Sequence, residues 1–122
     1  MKKIKVDFFG KEEEIYFNIA RIMEVEKVTG LSIGQIVNNQ QLNITTLASL
    51  LMVGMKHTGY KKNLMGWAEA IEEAINSGVE ITDIQVAVVK ALIGSGILGK
   101  AAYYSVFPEE LTPETKAEIE KN

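Results

Sequence analysis

The sequence predicts an α+β domain that is mainly helical, with an N-terminal β-hairpin packed on a small bundle of about four to five helices. Two observations carry this. Apolar residues alternate with charged ones between Lys3 and Asn18, which is the period of a strand. From Ile19 to about Val106 the apolar residues recur every three to four positions, which is the period of a helix.

In the first strand Ile4, Val6 and Phe8 share one face. Gly10-Lys11 marks a turn, and Glu14 to Asn18 resumes the alternation with Ile15 and Phe17 on one face. A lone hairpin is marginal in water, so its apolar face needs the helices. The first helix carries Ile19, Ile22, Met23 and Glu26 at helical spacing, and Gly30 suits its stop. Ser32 and Gln35 have the spacing of a capping box that opens a short helix from Ile33 to about Asn38. Asn38 to Gln41 reads as a loop, and Asn43 as the cap of a helix bearing Leu47, Leu50, Leu51, Gly54 and Met55.

Leu64, Trp67, Ala68, Ile71 and Ile75 form the next stripe, with Glu69, Glu72 and Glu73 opposite. Thr82 and Gln85 repeat the capping-box spacing ahead of Ile84, Ala87, Val88, Ala91 and Leu92. That helix is apolar around most of its circumference, so it is either central to the fold or covered by a partner. Residues 1–107 are read as one globular domain. Residues 108–122 hold both prolines and otherwise mostly Glu, Lys, Thr and Ala, which reads as a polar, flexible tail, dispensable for folding.

Composition narrows the function. The 122 residues suffice for one core. The net charge of -3 leaves no basic footprint for nucleic acid. Cysteine is absent, which excludes disulfides and thiolate metal sites and fits a reducing cytosol. Lys2 and Lys3 are followed by Ile4-Lys5-Val6-Asp7, which breaks the apolar stretch a signal peptide needs. Val86 to Leu98 is too short to span a bilayer and contains Lys90.

Candidate chemistry is sparse. Gly94-Ser95-Gly96-Ile97-Leu98-Gly99 matches G-x-G-x-x-G, but that motif needs a strand before it and a βαβ unit around it. Here it follows a helical pattern, and the glycines are read as a helix end. His57, the one histidine, has no nucleophile in a recognisable pattern. With Lys56 it is placed in the last turn of a helix, where a cation is favoured. Glu12 to Glu14 and Glu69, Glu72, Glu73 are read as solvated faces. No catalytic residue, cofactor site or metal site is assigned. Tyr103, Tyr104, Val106 and Phe107 crowd a short segment beside the polar tail, readable as core or as a partner-binding surface. With Ile97 and Leu98, three of them (Tyr103, Tyr104 and Phe107) form the candidate contact set.

Glu14 to Asn18, Ile22 to Glu26 and Thr29-Gly30-Leu31-Ser32 together resemble the opening of phage tail assembly chaperones, where a short hairpin runs into a helix ending in a "tG.s" pattern. Thr45 to Met55 is similar to their second block, and Glu80 to Gly96 to their last helix, so the likeness covers roughly residues 4 to 99. The resemblance implies a non-enzymatic protein of the host-cell cytoplasm that holds the apolar segments of the tape measure protein until tube subunits displace it. Tube subunits and self-association are further partners it implies, with neither nucleic acid nor membrane. Such a protein is not expected in the mature virion. A longer frameshifted form often exists in such systems. This chain would be the short form, with Lys121-Asn122 encoded at an A-rich slippery sequence. The rival readings are a structural tail component and a small interaction module of other function.

Overall fold

A computed structural model describes residues 1–39, 42–59 and 61–120. The chain runs β1 (Ile4–Val6), β2 (Glu13–Ile15), α1 (Ile19–Thr29), α2 (Ile33–Asn39), α3 (Ile44–Gly54), α4 (Leu64–Asn76), α5 (Ile81–Ile93), α6 (Lys100–Val106) and α7 (Pro113–Glu120). Short 3-10 turns at Lys56–Thr58 and Pro108–Glu110 follow α3 and α6. The architecture is mainly α with an N-terminal antiparallel hairpin, as the two periods predict. Asn38 and Asn39 complete α2, while Gln40, Gln41, Lys121 and Asn122 lie outside the described residues.

The hairpin pairs Ile4 with Ile15, Lys5 with Glu14 and Val6 with Glu13. Val6, Ile15 and Phe17 are buried, and the Phe9 ring at the hairpin tip stands edge-on to buried Trp67 of α4, 5.4 Å between centroids. The apolar face thus finds the helical partner it needs. The acidic run does not behave as one solvated face. Successive strand residues point to opposite sides, and this register turns Glu13 inward with Val6 and Ile15. Its side chain is 4% exposed, neither carboxylate oxygen has a hydrogen bond, and the Lys11 ammonium stands 3.9 Å away.

The caps show why the helices begin where they do. Asn18 accepts from Arg21 N–H, Asn43 from Thr46 N–H and Asn63 from Gly66 N–H. Ser32 and Gln35 form the reciprocal box, at 3.1 Å and 2.9 Å. The second expected box does not form. α5 starts at Ile81 after Glu80, and Gln85 spends its amide on Leu42 C=O at 3.1 Å, tying the start of α3 to α5. In α1 the buried face is Arg21, Ile22 and Val25, while Ile19 and Met23 point outward. In α4 it is Trp67, Ala70, Ile71 and Ala74, with Ile75 outside and Glu69, Glu72 and Glu73 exposed as expected.

α3 is the helix at the centre. Most of its residues are buried, and it packs on α1, α4 and α5. α5 buries Ile84, Ala87, Val88, Ala91 and Leu92 but leaves its opposite side uncovered. The C-terminal segment is helical through Glu120. No residue of α7 is buried, and it is tied back by Lys100 to Glu118 at 2.7 Å. Among the described residues no helix is long and apolar enough to cross a membrane.

Candidate protein-binding surface

The five candidate contact residues separate into three environments. Ile97 is exposed, and Leu98 packs against the edge of the core. Tyr103 and Tyr104 are half-buried and stand edge-on, 5.1 Å between centroids. Phe107 is buried, 4.9 Å from the Tyr103 ring and under the Lys2 ammonium at 5.5 Å. Phe107 is therefore a packing residue rather than an open contact. The N-terminus covers it: Lys2 N–H donates to Gly94 C=O at 2.8 Å, and the Lys2 ammonium meets Glu110 at 3.2 Å. Glu110 also accepts from the Tyr103 hydroxyl at 3.1 Å, and burial with this hydrogen bond pushes the Tyr103 phenol pKa up.

A larger apolar surface lies on the uncovered side of α5. Thr82, Val86, Val89 and Ile93 follow one another at spacings of four, three and four, so they form one row along the helix. Val86 is 53% exposed, and Val89 and Ile93 are half-buried. The row lines a groove of about 610 Å³ together with Val37 of α2, Leu42 and Val106 of α6. Lys90 is the one charged residue among the described lining. An apolar groove is the usual way an amphipathic helix is held. The period of α5 signals that this helix has apolar residues to spare. Which of them stay open depends on Val37, Leu42 and Val106, brought in from three separate parts of the chain.

The glycine run links α5 to α6. Gly94 is right-handed, and Gly96 and Gly99 take φ of 84° and 95° in the turn. A helix rather than a strand precedes it, so the phosphate cradle of a dinucleotide fold has no strand-to-helix turn to stand on here.

His57 sits in the 3-10 turn after α3, and its role differs from that of a cation at a helix end. Arg21 Nη1 lies 3.0 Å from His57 Nδ1 and donates to Gly54 C=O at 3.1 Å and Tyr16 C=O at 3.3 Å. The guanidinium lies over the Tyr16 ring at 3.8 Å, and that ring contacts the imidazole at 4.6 Å. A guanidinium can only donate, so His57 Nδ1 accepts and the imidazole is neutral. Partial burial and the Arg21 charge lower the His57 pKa below 6.5, with Lys3 adding to them; a backbone hydrogen bond with Glu14 and the Glu14 charge act the other way. The folded state then binds fewer protons than the unfolded one below pH 6.5. This contribution to stability is complete above pH 6.5 and is lost as pH falls through the folded pKa. The melting temperature should fall more steeply between about pH 7 and pH 5 in the wild type than in His57→Gln. Equal slopes in thermal scans across that range would refute the arrangement.

Comparison with protein-family models, curated proteins and solved structures gave no match, so the functional reading rests on the residues and their placement.

Proposed function

We propose that this protein is a tail assembly chaperone of a long-tailed phage or prophage, which binds the tape measure protein and keeps it soluble during tail morphogenesis. The observation that carries the reading is the open apolar row of α5, in a chain whose resemblance to these chaperones runs over roughly residues 4 to 99. A holder needs apolar area that is accessible before the client arrives and binding weak enough to be reversed. The groove supplies such area, with Ile97 and Tyr104 as further exposed or half-exposed apolar groups nearby in sequence. The work is association alone: burial of client side chains against Val86, Val89 and Ile93, followed by release when tube subunits compete for the client. It takes place in the host-cell cytoplasm, without ATP.

The test is co-expression with fragments of the tape measure protein from the same genome. Wild-type protein should raise the soluble yield of at least one fragment severalfold. Val86→Asp should remove that effect while leaving the melting temperature within a few degrees, because the side chain is exposed and its replacement disturbs little packing. If no fragment changes solubility with the wild type, the chaperone reading falls. Recovery of the chain as a stoichiometric part of purified tails would favour a structural component instead.

A further inference from the structure

We infer that the α5 groove of the free protein is closed by a second copy of the same chain, packed with its own α5 antiparallel to the first. The α5 row has coiled-coil spacing and reads almost the same in both directions. A two-fold axis between Val86 and Val89 places Val86 of one copy against Val89 of the other, and Thr82 against Ile93.

The charges at the rim obey the same symmetry. Asp83 and Lys90 each follow a row residue directly, so they lie on the same flank of α5, seven residues apart. Both are exposed, and among the described residues neither is in an ion pair within the chain. Antiparallel packing sets equal flanks of two helices side by side. Asp83 of each copy then meets Lys90 of the other, giving two reciprocal pairs. A parallel arrangement puts this flank of the two copies on opposite sides of the seam, so neither Asp83 nor Lys90 finds its counterpart and the two pairs are lost. The charge pattern thus selects both the occupant and its direction.

The seam spans only about 16 Å of helix. An interface of this length belongs to the weak, exchanging class. Such a dimer covers Val86 when no client is present and yields the same groove to a client helix. The dimer stands on the geometry of α5; its replacement by a client rests on the chaperone reading above.

Sedimentation analysis of the full chain over a concentration series tests both parts. Wild type should pass from monomer to dimer. Lys90→Asp should weaken the dimer roughly tenfold, because each new carboxylate faces Asp83 of the other copy. The double variant Asp83→Lys, Lys90→Asp should return to within about threefold of wild type, since the pairs re-form with exchanged signs. Val86→Asp should abolish dimerisation, with circular dichroism confirming an unchanged fold. A wild type that stays monomeric at several hundred micromolar overturns the proposal. So does a dimer indifferent to Lys90→Asp, or a double variant no better than the single one. A tape measure fragment kept soluble by a strictly monomeric protein removes the dimer and leaves the chaperone reading intact. A charge-swappable dimer that solubilises no fragment keeps the dimer and removes the chaperone.

Discussion

Arg21→Leu should destabilise the fold by about 3 kcal/mol, since hydrogen bonds from a charged donor contribute about 1.5–3 kcal/mol each and their loss strands buried acceptors. Arg21 is 5% exposed and joins three segments: the exit of the hairpin at Tyr16, the last turn of α3 at Gly54 and the 3-10 turn at His57. Leucine retains much of the volume but leaves Gly54 C=O with only the longer bond from Tyr16 N–H, at 3.3 Å. It also removes the cation from the Tyr16 ring. Urea unfolding should show the loss as a lower midpoint with an unchanged slope, and melting should fall by roughly 10 °C. Arg21→Lys should recover part of the deficit only, because an ammonium cannot reproduce the planar fork. A loss below about 0.5 kcal/mol for Arg21→Leu would mean that these contacts do not hold the hairpin to the bundle.

Gly54→Ala should cost about 2 kcal/mol, within the range for overpacking a filled core. A methyl group at Gly54 would lie 2.7 Å from Phe17 Cζ and 2.9 Å from Ile15 Cγ2, both on fully buried side chains. Alanine favours a helix over glycine by about 1 kcal/mol, and here that gain is outweighed by the collision. The paired control is Gly34→Ala in α2, where the new methyl meets only Ser32 Oγ at 3.9 Å. There the helix preference acts unopposed, and stability should rise by about 0.5 kcal/mol. Opposite signs for the same substitution in equilibrium unfolding would show that close approach of the hairpin, rather than helix preference, selects glycine at position 54. Two changes of the same sign would refute it.

Gly54 and Arg21 also show where local reasoning stops. The seam Leu47, Leu50, Leu51, Gly54 and Met55 is legible because helical spacing is a property of neighbouring residues, and all five are buried. Likewise, the Ser32–Gln35 box and the Asn43 cap form within four residues of chain. Arg21 is different: it looks like a solvated residue of an amphipathic helix, and its acceptors at Gly54 and His57 lie 33 and 36 positions away. Glu13 departs from its neighbours too: a run of three acids suggests one charged face, whereas a strand distributes consecutive residues to both sides.

The candidate surface divides in the same way. The excess of apolar residues on α5 is written in its own sequence, and so is the spacing of Thr82, Val86, Val89 and Ile93. The sequence alone determined the two periods, the starts of α1, α2 and α3 and the presence of an apolar face beyond what a core needs. Only the tertiary structure decided that Phe107 is covered by the N-terminus and that Val86 remains open. It also decided that α5 starts at Ile81, ahead of Thr82, and that the Gln85 amide goes to Leu42 rather than back to the helix start. The physical reason is range. Periodicity and capping act over one or two helical turns, but a side chain is buried or exposed according to which distant segment comes to lie on it.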